Sequence, residues 1–184
     1  VAPEIQGLVY TPDAENTLFP NFAGTLSLAA LDVEIMVLSE NLSNVISERL
    51  REVLLKNRRI RLIGRAETQK ILQKPEYGSR GCGNEICAAE IGRTLKANGM
   101  FMGKLIRAAD KYLLVLKCVD TASGKTVFDK SMKADTESQI KDAVDGIMAE
   151  FTALLPLAGE IEYAGEREAS INFGEGVNIP KGAV

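Results

Sequence analysis

The chain of 184 residues contains no histidine and no tryptophan, and aromatic residues make up only 5% of it. Without His there is no Ser-His-Asp or Cys-His nucleophile, no imidazole base and no His-ligated metal site. No apolar run reaches membrane-spanning length. The longest, over residues 26–38, is interrupted by Asp32 and Glu34 and falls short of the ~20 residues a spanning helix needs. Excess positive charge is also missing. Lys and Arg number 22 against 25 Asp and Glu, a net charge of −3, which argues against a dedicated nucleic-acid binder. No secretory leader is evident, and a chain opening at Val1 and not Met reads as a processed form or a fragment. No residue is assigned to catalysis, to a cofactor or to a metal.

What remains is a globular composition, 46% hydrophobic, of a length that buries most of its apolar surface in one domain. There are three cysteines, Cys82, Cys87 and Cys118. Cys82 and Cys87 lack the further ligands a structural zinc requires, and their spacing is not that of a thioredoxin-like pair. Two readings stay open: a local disulfide formed in an oxidising compartment, or two reduced thiols in a cytosolic protein. A disulfide closing so short a loop stabilises by about 2 kcal/mol.

Three prolines within residues 1–23, at 3, 12 and 20, mark an extended arm that we bound at 1–30. Alternation of Leu31, Val33, Ile35 and Val37 with Asp32, Glu34 and Met36 predicts the first strand. Ser39 and Asn41 offer N-caps to a helix whose stripe is Leu42, Val45, Ile46, Leu50, Val53 and Leu54, with Arg49, Arg51 and Lys56 off it. A short strand at Ile60 and Leu62, a helix over 66–74 stopped by Pro75, a glycine-bearing loop over 76–83 and a helix over 85–97 follow. Residues 100–107, 111–120 and 125–133 read as three hairpin-linked strands. Apolar residues on both faces of the middle one predict a strand covered on two sides. Thr136 and Gln139 have capping-box spacing ahead of a stripe from Ile140 to Leu155, ended by Pro156. The fold class is α/β (α+β): a mixed sheet with an antiparallel meander and helices on both faces, over 31–156. Residues 157–184 read as the start of a small β module that stops in mid-pattern, completed by further chain or by a partner.

Residues 82–131 carry a family cadence: Glu85-Ile86-Cys87-Ala88-Ala89-Glu90-Ile91-Gly92, then Leu95-Lys96-Ala97, Met102-Gly103, Tyr112 to Leu116, Val119-Asp120, and Thr121-Ala122-Ser123-Gly124. It resembles the TolB amino-terminal-like superfamily of bacterial periplasmic envelope proteins, the group of CsgG, LpoB and FlgT middle domains, over residues 31–155. The tail resembles the small β domain that follows in FlgT-like members. The resemblance implies a periplasmic, non-catalytic domain built for protein–protein contact, and it favours the Cys82–Cys87 disulfide. It also implies a scaffold or assembly role in a cell-envelope machine, such as a flagellar basal-body ring or an outer-membrane-associated complex. The alternative is a docking regulator of an envelope enzyme such as a cell-wall synthase. Partners implied are envelope proteins, with homo-oligomer or ring formation and contact with peptidoglycan or the outer membrane among the arrangements. The stretched Thr121–Gly124 turn and the arm depart from the family pattern.

Lys56, Arg58, Arg59, Arg61 and Arg65 form a basic cluster, the candidate partner-binding site for peptidoglycan carboxylates, anionic lipid or an acidic protein. The competing reading is positive charge favoured at a helix C-terminus. Asp142 and Asp145, with Glu137, read as solubilising charges and not as an acid–base pair, and Cys118 as an apolar filler.

Overall fold

The computed structural model describes residues 9–10, 17–19, 25–36, 40–78, 82–155, 157–158, 160–164 and 169–172. Its elements in chain order are β1 (Val9–Tyr10), β2 (Leu26–Ala30), β3 (Glu34–Met36), α1 (Glu40–Lys56), β4 (Ile60–Leu62), α2 (Arg65–Leu72), α3 (Pro75–Gly78) and α4 (Glu85–Thr94). Then come β5 (Gly99–Ala108), β6 (Lys111–Asp120), β7 (Thr126–Ala134), α5 (Glu137–Ala153), β8 (Leu157–Ala158), β9 (Glu160–Ala164) and β10 (Ala169–Asn172). The chain divides into two units, Thr25–Ala153 and a second formed by Val1–Gly24 with Leu154–Val184.

In the larger unit one mixed sheet of six strands runs β4-β2-β5-β6-β7, with β3 also beside β5. The β2–β4, β2–β5 and β3–β5 pairings are parallel, and β5–β6–β7 is an antiparallel meander. The mixed α/β class with helices on both faces is as read from the sequence. Helices α1 and α5 pack on one face, and α2 and α4 on the other.

The first strand is placed differently. It begins at Leu26, inside the stretch read as arm, and all five residues of β2 are buried. A parallel strand covered on both faces has no solvent-facing side, so the apolar/polar alternation that marks a strand is weak there, with Ser27 its one polar residue. The alternating segment further on yields only the three residues of β3, and residues 37–39 lie outside the described set.

Between β2 and β3 the ladder breaks after Leu31, whose N still donates to the Phe101 carbonyl at 2.9 Å, and α1 satisfies the freed backbone of Val33. Ser47 Oγ accepts from Val33 N at 2.8 Å, and Ser43 Oγ donates to the Val33 carbonyl at 2.6 Å. Ser47 is fully buried for this purpose.

The α1/α5 layer is the larger core. Leu28, Phe101, Leu114, Leu116, Ile46, Leu50, Leu54, Ile140 and Phe151 are almost completely buried, each contributing about 1.5–3 kcal/mol. Phe151 meets Phe101 and Phe128 edge-on, with ring centroids 4.7 and 5.2 Å apart. The α2/α4 layer packs smaller residues, Ala88, Ala89 and Ile91, on Ala29, Met100 and Val119.

Helix ends follow local chemistry. Pro75 does not lead into a loop. It opens the short helix α3, the position where its missing N–H costs nothing. Helix α4 stops at Thr94, three residues before the predicted end, in a Schellman closure. Lys96 takes φ +56°, Ala97 N donates to Gly92 O and Lys96 N to Arg93 O. Gln139 reaches back to Asp135 N at 2.8 Å, one residue beyond the Thr136 amide that a capping box would use.

In the smaller unit β1 pairs antiparallel with β8, and β9 with β10 across an irregularity at Ser170/Ile171. The predicted continuation at Phe173 lies outside the described residues.

Candidate functional site

The Asn84 side chain caps α4 by accepting from Cys87 N at 2.9 Å. Cys82 and Cys87 are disulfide-bonded with Cα atoms 5.5 Å apart, and both pack against the Met100–Met102 side of the core. Between them the chain projects Ile86, which is 72% exposed. Helix α4 lies close on the sheet because Gly92 has no side chain. An added Cβ there would overlap Thr121 Cγ2. Thr121 Oγ1 in turn donates to the Ala97 carbonyl, and Arg93 Nη1 to the Thr121 carbonyl at 2.8 Å. The two halves of the family cadence, Glu85–Gly92 and Val119–Gly124, therefore touch.

Helix α4 covers only one end of its sheet face. Met100 and Val119, cross-strand partners, are completely buried. Further along the same face lie the pairs Met102–Lys117, Lys104–Val115 and Ile106–Leu113. The expectation that β6 is covered on two sides thus holds along one face and fails along part of the other. Leu113 and Val115 are only half-buried, and Ile106 is 36% exposed.

A cavity of about 240 Å³, lined by Gly83, Glu85, Met102, Lys104, Val115 and Lys117 among others, sits where the disulfide loop meets this open half. Lys117 spans it, 2.9 Å from Glu85 and 3.3 Å from Asp129 on β7. Hydrogen bonds to Glu85 first, then to Asp129, raise the Lys117 pKa, and the Lys117 bond lowers that of Glu85. Lys104 pairs with Glu34 at 3.4 Å. The result is a partly apolar face with a fixed frame of both charge signs. No acid–base pair is set against a nucleophile there.

The basic cluster is dispersed. Lys56 pairs with Glu52 at 3.9 Å. Arg58 is exposed and makes no ion pair among the described residues. Arg59 is half-buried, with Nη2 donating to the Thr152 carbonyl at 3.1 Å, and Arg61 Nε donates to Ser27 Oγ at 3.1 Å. Arg65 turns back to Asp32 at 2.8 Å and Glu48 at 3.0 Å.

Arg51, read as lying off the buried stripe of α1, is 6% exposed. It donates to the Ala30 carbonyl at 3.0 Å and to Asp32 at 2.7 Å. Burial works to raise the Asp32 pKa, but hydrogen bonds from Arg65 and Arg51 outweigh it and hold the carboxylate below its ordinary value. The available signal was Ser47 and Arg51 at i, i+4, a polar pair flanking an apolar stripe.

Asp145 is engaged by Arg49 at 2.6 Å, and Glu137 accepts from Tyr112 OH at 3.2 Å. Cys118 is completely buried, which pushes its thiol far above the ordinary range. No helix among the described residues is long and apolar enough to cross a membrane.

No family model matches the sequence, and no curated protein matches it. Solved structures do match. The LpoB C-terminal domain from Salmonella enterica superposes with a TM-score of 0.52 at 15% identity, over 62% of this chain and 86% of that one. The same domain from Escherichia coli gives 0.53 at 14% identity, over 70% and 96%. The solution structure of E. coli LpoB gives 0.50 at 15% identity, over 72% of each chain. The chain thus has the fold of the LpoB C-terminal domain, as its resemblance to the TolB amino-terminal-like group implied.

Proposed function

We propose that this is a non-catalytic docking domain of the bacterial periplasm, acting on an envelope enzyme of the cell-wall synthase class through protein–protein contact. The observation that carries the reading is the half-covered sheet face. Ile106 is exposed and Leu113 and Val115 are only half-buried, framed by Lys104–Glu34 and Glu85–Lys117–Asp129, and Ile86 is exposed on the neighbouring helix α4. A sheet face is ordinarily covered by a second layer, and a partner supplies that layer here. The charged frame fixes orientation more than affinity. A docking domain is consistent with the fold of the LpoB C-terminal domain, and the disulfide fits an oxidising compartment. Lys56, Arg58 and Arg61 belong in this reading to a separate, weaker contact with envelope anions.

The test is site-specific photo-crosslinking in the native envelope, with the probe at Ile86, Ile106 or Leu113 and a control at the exposed Leu55 of α1. One cell-wall enzyme captured from the three sheet-face positions and absent at Leu55 supports the reading. No adduct from the sheet face, or the same adduct from Leu55, overturns it.

A further inference from the structure

The two outer strands of the sheet differ. The β4 edge is three residues long, whereas β7 offers nine, and among the described residues nothing pairs with its outer side. A long unpaired edge is a template for another strand, and soluble proteins usually blunt it with charge. On β7 the charges do not simply blunt it. The order Phe128-Asp129-Lys130-Ser131-Met132-Lys133-Ala134 is complementary to itself when read backwards about Ser131.

We propose that β7 pairs antiparallel with β7 of a second copy of this chain, about a two-fold axis at Ser131, joining two sheets into one. Symmetry requires residues of the same face to meet, so only registers centred on a residue are allowed. Centring on Asp129, Lys130 or Lys133 sets a like-charged pair on the axis. Centring on Met132 makes no opposite-charge pair and brings Asp129 to Asp135. Centring on Ser131 places Asp129 opposite Lys133 twice, Phe128 opposite Ala134 twice, and Lys130 opposite Met132.

The local environment suits that register. Lys130 is already neutralised within its own chain by Glu150 at 2.8 Å. Lys133 is exposed and makes no ion pair among the described residues, so its charge is open to Asp129 of the other copy. Asp129 is 52% exposed and, among the described residues, pairs with one cation, Lys117, at 3.3 Å. Opposite charges directly across strands stabilise, and like charges destabilise by similar amounts. The choice of register therefore comes from charge order while the affinity comes from the backbone ladder.

The test uses the full chain in sedimentation equilibrium, with oxidative trapping. A concentration-dependent dimer is expected, with Ser131→Cys giving an interchain disulfide that Leu55→Cys does not give. Lys133→Glu should raise the dimer dissociation constant about tenfold or more. The exchange Asp129→Lys with Lys133→Glu should return it to near the original value. A chain that stays monomeric at high concentration overturns the proposal. So does trapping of Leu55→Cys as readily as of Ser131→Cys, or a dimer indifferent to Lys133→Glu. Circular dichroism of each variant separates loss of pairing from loss of fold. The two readings share Asp129, but the docking test reads capture of an envelope enzyme and this one reads self-association of the purified chain, so either can fail without the other.

Discussion

Gly92 of α4 and Thr121 of the β6–β7 turn approach so closely that a methyl group on the glycine would overlap Thr121 Cγ2. Thr121 cannot swing aside cheaply, because its hydroxyl is held by the Ala97 and Asn98 carbonyls. Gly92→Ala should therefore destabilise by about 1–3 kcal/mol, measured by urea unfolding. Thr121→Ser removes the offending methyl and keeps the hydroxyl. The double variant should recover most of the loss, giving a non-additive cycle.

Asp32 holds two arginines of unequal burial, Arg51 at 7% side-chain exposure and Arg65 at 32%. Asp32→Ala leaves the Arg51 guanidinium buried without its carboxylate, at a cost of about 2–3 kcal/mol. Arg51→Met removes the buried charge itself and fills similar space, so it should cost less than Asp32→Ala. Thermal or denaturant unfolding of both variants checks the order; equal losses would contradict it.

Acid stability follows from the same carboxylate. Asp32 and Glu85 titrate below their ordinary values of 3.8 and 4.5. In the window beneath those values the unfolded chain binds more protons than the folded one, so stability rises with pH there. It is fully present above about pH 5 and lost as pH falls below about 4. Asp32→Asn should flatten this acid limb. With no His in the chain, unfolding free energy should be level between about pH 6 and 8.

Thiol titration gives a fourth check. Denatured without reductant, the protein should show one reactive thiol per chain, Cys118, and none while folded, because Cys118 is completely buried. Reduction should expose all three. Cys82→Ser with Cys87→Ser should cost about 2 kcal/mol. It should also weaken crosslinking at Ile86, whose loop the disulfide clamps.

The parts of the fold legible in the sequence were those with one wet face. Helices α1 and α5 carry stripes because one side meets solvent, and the meander shows in its hairpin turns. Strand β2 was hidden because burial on both sides erases alternation. Arg51 was hidden for the opposite reason: a charged residue beside a stripe looks solvated until Asp32 and the Ala30 carbonyl are brought to it by chain 19 and 21 residues away. The open half of the β6 face was misread because Leu113 and Val115 are apolar whether a helix of this chain or another surface covers them. The disulfide positions were visible as spacing, but their place at the rim of a cavity depends on how far α4 reaches along the sheet.

The order of the sheet also sets an order in time. Strands β5, β6 and β7 are consecutive and joined by short turns, so their contacts close small loops. The parallel pairing of β2 with β5 instead joins Leu28 to Gly99 across two helical layers of intervening chain. Local pairings form fast and non-local ones slowly. The meander with α5 should therefore form early and β2 insert late between β4 and β5, delaying burial of Leu28 and Ala29. Pulse-labelled hydrogen exchange should protect β6 amides before those of β2.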